Sequence, residues 1–532
     1  MYAYFDTETK GLYGEFLCGA VLYNGQFIFI DNLYEMKKVL SNLLQQGYIL
    51  VGHNVMYDFS IMDFKPESYK QFEDTYLLAK AIQGIIKQTK FGLQELVESL
   101  TTFKYTLPKQ HIQKMLEKGY THFDVRKYLE EDVTATQTLF EFFLNKHRQA
   151  LKNKTYLVDK AFLLHLIDIQ KRGITFDIEG AFAEYQKLKI IAKETAEGFY
   201  KKFSVNINSP IQLQKKFKLA TTSRTSLIEF LLENKQPELK PVIESLIHYK
   251  KLKKRVEFLE KFIQKAKKNN GRIYGKFSPC GAISGRLSCS DENLMQIPRD
   301  LRKFFKTDKY FLIYDFSQIE LRLAGQIWKE PIFIKTFQEK EDLHSLTAKI
   351  LFKKENITKE ERFVGKTFNF AMLYGATEKT LRALLIDAGL NYPVEVVTEF
   401  RKNWLNTYKT IRNVHYETLK TLKEQQYVIV NTMLNRLIYT TKFNEALNIP
   451  IQGTGAELLK GVILKFLRKF PEAKIINLIH DEIQIECETK EEAETYLQAL
   501  NQCLQEAWHN LFPEVLVPVE GEGQISKTLE KP

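Results

Sequence analysis

The sequence of 532 residues has few cysteines and lacks long apolar runs. Its five cysteines show no Cys-X-X-Cys spacing, which excludes a recognisable zinc motif and an obvious disulfide framework and favours free thiols in a reducing compartment. No apolar run approaches the ~18–20 residues that a membrane helix needs. Met1 leads directly into an apolar strand pattern, which leaves no room for a signal or transit peptide. These absences predict a cytoplasmic protein without a membrane partner.

Basic residues outnumber acidic ones: Lys and Arg total 77, Asp and Glu total 65, and the net charge is +12. The excess suits a polyanionic partner such as the phosphate backbone of nucleic acid, although many soluble proteins carry a similar charge. A chain of this length is expected to form two or more domains, each with a substantial core. We therefore expect a multi-domain protein whose surface attracts phosphate.

One helical segment, Arg362–Gly375, pairs cations with aromatic rings. The residues at every fourth position are Arg362, Lys366, Phe370 and Tyr374. A step of four residues turns a helix by only about 40° beyond a full turn, so the four side chains follow one face. An amphipathic core helix would give a similar stripe. Two cations followed by two rings nevertheless suit a nucleoside triphosphate, with its polyphosphate at one end and its base at the other.

Carboxylates stand at the ends of two apolar segments. Tyr310–Asp315 reads as a buried strand that ends at an acid, and Lys474–Glu486 reads as a hairpin that exposes His-Asp-Glu at its tip. Either acid alone is ordinary for a strand end or a turn. Together Asp315 and Asp481 could hold two Mg²⁺ ions about 3.5–4 Å apart, as in two-metal phosphoryl transfer.

These segments resemble the motifs of family A DNA polymerases, the group of bacterial DNA polymerase I. Asp315–Arg322 is similar to motif A, Arg362–Gly375 to motif B and His480–Glu482 to motif C. Four further segments match in the family's order: Asn208–Leu213, Ser284–Pro298, Asp342–His344 and Asn448–Thr454. Seven weak matches in the right order favour membership of the family over coincidence.

The resemblance implies roles for individual residues. Asp315 and Asp481 would hold two Mg²⁺ ions, with Mn²⁺ as an expected substitute, and Glu482 would be an auxiliary acid. Lys366 would also donate a proton to the departing pyrophosphate. The residues expected to bind a dNTP are Arg362, Lys366, His344, Phe370, Tyr374, Gln318 and Glu320. Those expected to contact primer–template DNA are Arg286, Asn448, Gln452 and His480.

A second acidic constellation begins at the N-terminus. Asp6 and Glu8 alternate on one face of a strand. Asn54 and Asp58, and later Tyr128 and Asp132, are each four residues apart, as on one helical face. Each pair alone is typical of a solvated turn or helix. As a set they resemble the DEDDy 3′–5′ proofreading exonuclease. This implies an active nuclease whose two Mg²⁺ ions are held by the four acids, with Tyr128 orienting water and Asn54 contacting DNA.

The sequence pattern changes between the N-terminal acids and the segments that resemble polymerase motifs. Residues 150–270 are helical in pattern, and Tyr249–Phe262 combines an apolar stripe with a basic face. That face is typical of a solvated helix, but the resemblance makes it a thumb that contacts phosphates through Lys250, Lys253, Lys254 and Arg255. The thumb segment is too short for a large processivity-factor loop, so we expect none, and we expect a monomer.

The predicted fold class is multi-domain α/β: an RNase H-like exonuclease domain followed by a right-hand polymerase. The expected boundaries are 1–150 for the exonuclease, 151–275 for the helical thumb, 276–340 and 441–532 for the antiparallel-sheet palm, and 341–440 for the helical fingers. We expect no 5′ flap nuclease ahead of the exonuclease, because the exonuclease pattern starts at the first residues of the sequence. This favours a replicative enzyme of a virus or similar element, with a host enzyme as the alternative.

Two other functions remain open at the level of sequence. A single-subunit RNA polymerase would share the palm geometry, but Glu320 opposes it because a carboxylate under the sugar leaves no room for a 2′-hydroxyl. An exonuclease or DNA-binding protein with an inactive polymerase half would need no triphosphate clamp, which Arg362 and Lys366 supply. Departures from the family at Met295–Gln296, at Asn444 and at Thr432–Arg436 predict altered affinity or fidelity rather than lost activity.

Overall fold

The computed structural model describes residues 1–10, 15–106, 122–233 and 236–531, which form a mixed α/β fold dominated by helices. Two sheets organise it. The described strands of the N-terminal sheet are β1 (Tyr2–Thr9), β2 (Phe16–Tyr23), β3 (Gln26–Ile30), β4 (Ile49–Gly52) and β5 (Phe72–Asp74). Their order is β3-β2-β1-β4-β5, with β4 parallel to β1 and to β5 and the other pairs antiparallel. Strand β1 therefore lies at the centre.

Alternation along β1 decides which side chains face the core. Thr7 and Thr9 are buried, whereas Asp6 and Glu8 are half-buried on the opposite face. The helices that accompany this sheet are α1 (Leu33–Gln45), α2 (Met56–Met62), α3 (Thr75–Ala81), α4 (Gln83–Ile86), α5 (Leu93–Leu100) and α6 (His122–Lys146). Helix α6 packs against β1 and carries Tyr128 and Asp132 towards it.

A helical region follows. Its helices are α7 (Lys154–Arg172), α8 (Ile178–Phe203), α9 (Pro210–Phe217), α10 (Arg224–Glu233) and α11 (Lys240–Lys268). Short strands β6 (Ile174–Thr175) and β7 (Arg272–Ile273) pair at its base. Asn153 begins α7 by accepting hydrogen bonds from two backbone N–H groups, and Ser209 does the same for one at α9. The far end of α8 packs with α9–α11 around a separate apolar core.

The C-terminal sheet is antiparallel. Its strands are β10 (Lys306–Phe316), β13 (Lys474–Ile479), β14 (Glu482–Cys487) and β15 (Gly521–Thr528), in the order β13-β14-β10-β15. Asp315 on β10 lies opposite Glu482 on β14 and Glu522 on β15. Apolar residues fill the middle of β10, which agrees with the predicted buried strand. Two helices, α19 (Phe443–Lys469) and α20 (Lys490–Leu511), pack together, and α20 also packs on β10.

Helices between β10 and α19 complete the polymerase-like half. They are α12 (Ile319–Trp328), α13 (Pro331–Gln338), α14 (Leu343–Phe352), α15 (Lys359–Leu373), α16 (Glu378–Asp387), α17 (Val394–Thr407) and α18 (Lys409–Gln425). Hairpins β8 (Lys276–Ser278) with β9 (Ser288–Ser290), and β11 (Val428–Asn431) with β12 (Leu437–Thr440), flank them. The 3₁₀ turns lie at Tyr69–Gln71, Arg148–Lys152, Pro237–Leu239, Leu294–Gln296 and Arg299–Phe304.

Helix α7 joins the two halves through buried polar contacts. Asp159 accepts hydrogen bonds from Arg436 and from Lys460, at 2.5 and 2.6 Å, and all three side chains are at most 1% exposed. Next to Asp159 on α7, Lys160 contacts Glu73 on β5 at 2.7 Å. Arg436 is thus part of the buried scaffold between the two halves. Among the described residues, no helix is both long enough and apolar enough to cross a bilayer.

Candidate active sites

A cavity of about 350 Å³ lies beside the end of β10 and is called the β10 cavity here. Its lining residues are Arg286, Asp315, Phe316, Gln318, Ile319, Glu320, His344, Lys366, Phe370, His480 and Asp481. Nine of these were singled out from the sequence, on five separate segments of the chain. The structure brings them into one concave site.

Two carboxylates define one wall of the β10 cavity. Asp315 lies near the end of β10, and Asp481 follows His480 at the turn between β13 and β14. Burial raises the pKa of both groups, and the nearby charge of Asp315 adds to the shift that takes the pKa of Asp481 to about 7. Two acids that disfavour each other's charge are stabilised by a cation between them. Their oxygen donors therefore fit a divalent metal ion.

Glu482 is buried, whereas the hairpin pattern predicted that the tip would expose its acids. The prediction is wrong for this residue because β14 begins at Glu482 and pairs it with Asp315. Arg302 Nη1 donates to both of its carboxylate oxygens, at 3.1 and 3.2 Å. Lys531 Nζ lies 2.6 Å from Glu482 Oε2 and 2.7 Å from Asp315 Oδ2. Sequence reasoning missed both cations, since no local pattern links them to the hairpin.

Helix α15 carries the predicted face of cations and aromatic rings. Thr358 and Glu361 form a capping box at its start, and Lys366 and Phe370 reach the β10 cavity from successive turns. Arg362 instead forms a two-pronged ion pair with Asp342, with distances of 2.6 and 3.1 Å. Asp342 also caps the helix that carries His344. The ion pair thus fixes α15 against α14 at the edge of the cavity.

His344 is held in one neutral form. Asn369 Oδ1 accepts from Thr347 and from Trp404 Nε1, so its amide nitrogen is the group that faces His344 Nδ1 at 3.2 Å. Nδ1 is therefore an acceptor, and the ring proton lies on Nε2. Burial, and secondarily the charges of Arg362 and Lys366 against that of Asp342, lowers the pKa of His344 to about 4. The imidazole is a neutral hydrogen-bond donor near pH 7.

Glu320 is fixed in the floor of the β10 cavity. Arg286 Nη2 donates to its Oε1 at 2.5 Å, and the Tyr374 hydroxyl donates to its Oε2. Burial, with the charge of Glu320 second, raises the pKa of Tyr374. Tyr374 follows the last residue of α15, and its carbonyl accepts a hydrogen bond from Asn444. Asn444, which departs from the family pattern, thus holds the backbone of Tyr374 directly.

Three further predicted residues surround this floor. Gln318 lines the cavity with a buried side-chain oxygen that has no hydrogen-bond partner among the described residues. Gln452, one turn after Asn448 on α19, forms a hydrogen bond with Tyr374. His480 lines the opposite side, where burial and then the charge of Arg286 lower its pKa. The orphaned acceptor of Gln318 indicates a ligand with a donor group.

The N-terminal acids form a second site. Carboxylate oxygens of Asp6, Glu8 and Asp132 all lie within 4.8 Å of one another, close enough to share a metal ion, and are called the β1 acidic cluster here. Asp58, the fourth predicted acid, is not one of this group: it is buried on α2, where its Oδ1 accepts from Thr7 N at 3.0 Å and from Thr7 Oγ1 at 2.6 Å. Burial raises the pKa of Asp58 to about 7. The Thr7 contacts were not foreseen from the sequence.

Two tyrosines approach Asp132. Tyr128, one turn earlier on α6, forms a hydrogen bond with Asp132, and burial followed by the Asp132 charge raises its pKa. Tyr105 also donates to Asp132 Oδ1 at 2.6 Å. Only Tyr128 had been predicted, because the four-residue spacing marks it. Tyr105 lies outside that spacing and reaches the cluster through the tertiary fold.

Asn54 does not share a helical face with Asp58, which corrects the prediction from their spacing. Its φ is +62°, and α2 begins two residues later at Met56. The Asp74 carboxylate holds this turn by accepting from the backbone N–H groups of Asn54 and Val55, at 3.0 and 3.1 Å. Asn54 instead lines a cavity of about 660 Å³ with residues that include Tyr76, Lys80 and Ile283. That cavity lies between the N-terminal sheet region and the loop before Arg286.

The basic helix α11 presents only part of its predicted face freely. Lys254 is exposed, and Lys250 is half-buried. Lys253 Nζ donates to Asn208 Oδ1 at 3.0 Å, and Arg255 pairs with Asp300 at 3.0 Å. Both contacts are partly exposed, so Lys253 and Arg255 can leave these partners for a phosphate at little cost in free energy.

Comparison with known proteins agrees with this geometry. The model of DNA polymerase family A matches residues 182–531. DNA polymerase I of Aquifex aeolicus is 31% identical, with 100% of this chain and 96% of that protein aligned. DNA polymerase I of Borreliella burgdorferi and the thermostable DNA polymerase I of Thermus aquaticus are each 27% identical. The alignments cover 88% and 70% of this chain, and about half of each relative, 54% and 47%.

The fold has a solved counterpart. A structure described as the POL domain of Pol1 from M. smegmatis in complex with DNA primer-template and dNTP has a TM-score of 0.78 and 18% identity. The match covers 99% of this chain and 95% of that one. An acidic pair, a cationic helix and a cavity beside them are the groups that phosphoryl transfer with divalent metal ions requires. The chain belongs to DNA polymerase family A. Its activity is accordingly template-directed DNA synthesis, in a family that uses divalent metal ions.

Proposed function

We propose that the chain extends a primer 3′ end with dNTPs in the β10 cavity and removes mismatched ends at the β1 acidic cluster. The observation that carries the first part is the convergence of Asp315, Asp481 and Lys366 on one cavity. In this proposal 1–150 is the exonuclease domain and 151–275 the thumb. Residues 276–340 and 441–532 form the palm, and 341–440 the fingers.

Asp315 and Asp481 would hold two Mg²⁺ ions, and Mn²⁺ would also fit these oxygen donors. When bound, such ions activate the attacking oxygen and neutralise the leaving one. The protein's own contribution is to hold both carboxylates on a rigid sheet. The pKa of about 7 for Asp481 means that the site gains its second negative charge most readily when a cation is present.

The incoming triphosphate would meet three groups, two on the N-terminal part of α15 and His344 on the neighbouring α14. Lys366 and the Nε2–H of His344 face the cavity, and Arg362 stands at its edge, paired with Asp342. Neutral His344 donates one hydrogen bond without adding charge. Lys366 is also placed to give a proton to the departing pyrophosphate. These groups stabilise charge that develops during transfer.

Sugar selection would depend on Glu320. Because Arg286 and Tyr374 hold both of its oxygens, the carboxylate cannot easily rotate away from the floor. A 2′-hydroxyl would meet this fixed group, whereas a deoxyribose would pack on it. Phe370 would cover the other face of the sugar and base. This argues against a single-subunit RNA polymerase.

DNA would be held by groups on both sides of the cavity. Arg286, Asn448, Gln452 and His480 would contact the primer–template near the 3′ end, and Tyr374 would sit at the templating position. The α11 residues Lys250, Lys253, Lys254 and Arg255 would contact phosphates further along the duplex. Such contacts set position without reading sequence.

Proofreading would occur at the β1 acidic cluster. Asp6, Glu8 and Asp132 would hold Mg²⁺ together with Asp58, and Tyr128 would orient the attacking water. Asn54 would contact the frayed end from the adjacent cavity. All four acids are present, which supports an active nuclease and not a structural remnant.

The test uses a labelled primer with a mismatched 3′ end on a DNA template, with Mg²⁺, with and without dNTPs. We expect the wild-type chain to trim the mismatch and then extend. Asp481→Ala should trim only, and Asp6→Ala should stall at the mismatch but extend a matched primer. Each variant thus serves as the control for the other. A chain that trims but never extends a matched primer would favour the nuclease with an inactive polymerase half.

A further inference from the structure

The last residues of the chain place a cation among the acids of the β10 cavity. Lys531 Nζ lies 2.7 Å from Asp315 Oδ2 and 2.6 Å from Glu482 Oε2. The ammonium therefore bridges the strand that carries one proposed metal ligand and the hairpin that carries the other. Glu482 is also held by Arg302 on its other side. One cation thus bridges two acids that are otherwise joined only by strand pairing.

The backbone that delivers Lys531 is anchored close by. Strand β15 is paired along β10, and Leu529 directly after it is fully buried. The Leu529 N–H donates to the Phe305 carbonyl at 3.0 Å. Only one residue, Glu530, separates this anchor from Lys531. The ammonium of Lys531 therefore stays close to Asp315 and Glu482, at high effective concentration, even when it is not bound to them.

The pair differs from an ordinary surface ion pair. The Lys531 side chain is 25% exposed and that of Glu482 only 5%, whereas that of Asp315 is 41% exposed and so open to an incoming ion. A carboxylate in such surroundings gains from a neighbouring cation and loses when it is left alone. Lys527, on the same C-terminal segment, is a control for Lys531 because its side chain contacts other groups. It donates to the Asp308 carbonyl and lies over the Tyr310 ring.

We propose that Lys531 is an internal cation which occupies the Asp315 side of the metal site and is displaced when a divalent ion binds. An ammonium and a divalent ion on the same Asp315 carboxylate repel each other, so the two compete. The C-terminal residues thereby lower the apparent metal affinity and keep the carboxylates in place before loading. This inference rests on the metal site proposed above.

The size of the effect follows from occupancy. If the ammonium covers the site about nine-tenths of the time, the apparent Kd for a metal ion is about tenfold higher than at the free site. Replacement of Lys531 by a neutral residue should remove that factor. Replacement by arginine should keep most of it, since the charge remains.

The experiment titrates Mn²⁺ into DNA-free protein and follows the free-ion signal by electron paramagnetic resonance. All proteins carry Asp6→Ala, so that the β1 acidic cluster contributes little. The variants are Lys531→Met, Lys531→Arg, the matched control Lys527→Met, and Asp315→Asn. Circular dichroism checks that each is folded. Neither DNA nor nucleotide is present, so the result does not depend on polymerisation.

We expect Lys531→Met to bind Mn²⁺ about tenfold more tightly, and Lys527→Met and Lys531→Arg to stay within about threefold of the parent. Unchanged or weaker binding by Lys531→Met would overturn the inference while leaving the metal site intact. Asp315→Asn distinguishes a deeper failure. If Asp315→Asn binds Mn²⁺ as tightly as the parent does, both the proposed metal site and the inference about Lys531 are refuted.

Thermal unfolding supplies a second readout. In EDTA, Lys531→Met should unfold at a lower temperature than Lys527→Met, because Asp315 and Glu482 lose their shared cation. With saturating Mn²⁺ the difference should vanish, since the metal ion then takes that place. A difference that persists unchanged in Mn²⁺ would mean that Lys531 does not exchange with metal, and would refute the competition.

Discussion

Replacing Asp159 with alanine would leave two cations buried without their shared partner. Asp159 Oδ2 accepts from Arg436 at 2.5 Å and Oδ1 from Lys460 at 2.6 Å, and none of the three side chains is more than 1% exposed. Arg436 already has two buried nitrogens, Nε and Nη1, with no partner among the described residues. Breaking a buried pair by removing one member typically costs about 3–5 kcal/mol. We expect a loss of this size in the free energy of unfolding.

The assay is urea denaturation followed by tryptophan fluorescence. All three tryptophans, Trp328, Trp404 and Trp508, lie in the polymerase half, so the signal reports that half. Asp168→Ala is the matched control on the same helix. Its ion pair with Lys65 is about one-third exposed on both sides, and such pairs contribute at most about 1 kcal/mol.

The network also bears on the active site. Lys460 Nζ donates to the Gly285 carbonyl at 3.0 Å, one residue before Arg286, which holds Glu320. Asp159→Ala should therefore weaken DNA synthesis at temperatures where the protein is still folded. A stability loss below about 1 kcal/mol, equal to that of Asp168→Ala, would refute the claim that the buried charges depend on Asp159.

Three further predictions concern single residues. The pKa of Asp481 is raised to about 7, so in EDTA its protonated form contributes to the free energy of unfolding at low pH, and this contribution is lost as pH rises from about 4 through 7. Urea denaturation should therefore find Asp481→Asn more stable than wild type at pH 8, by up to about 4 kcal/mol, but not at pH 4. Equal differences at both pH values would contradict this. Glu320→Ala should cut the preference for dNTP over rNTP at least about tenfold in single-nucleotide incorporation, since the barrier to a 2′-hydroxyl is gone; an unchanged ratio would exclude Glu320 as the selector. Tyr105→Phe removes the 2.6 Å hydrogen bond to Asp132 and should slow digestion of single-stranded DNA about three- to tenfold, while matched-primer extension stays at the wild-type rate; full nuclease activity would show that Tyr105 is dispensable.

Much of the lining of the β10 cavity could be predicted because its residues lie in patterned local segments. The apolar run before Asp315 forms a buried strand, and the four-residue repeat of α15 keeps Lys366 and Phe370 on one face. The resemblance to family A DNA polymerases, drawn from seven ordered segments, is confirmed by the family match and by the relative in Aquifex aeolicus.

Other features depend on contacts that the sequence does not encode locally. Glu482 is buried because strand pairing places it opposite Asp315, although a hairpin tip is usually exposed. Asn54 is four residues from Asp58, yet the Asp74 carboxylate holds it in a turn outside the helix. Lys531 reaches Asp315 across 216 positions of sequence. Its placement depends on the final strand of the sheet, so no spacing rule could have revealed it.

The buried thiols have a practical consequence for watching the enzyme move. All five cysteines are buried, and burial raises the pKa of Cys18 and Cys487 to about 12 and that of Cys289 to about 11. Because the thiolate is the reactive form, maleimide reagents should leave the native protein almost unlabelled near neutral pH. A cysteine introduced at exposed Leu384 on α16 would then be the single site for a fluorophore. The fluorophore would report whether that helix responds to nucleotide, without first removing any native residue.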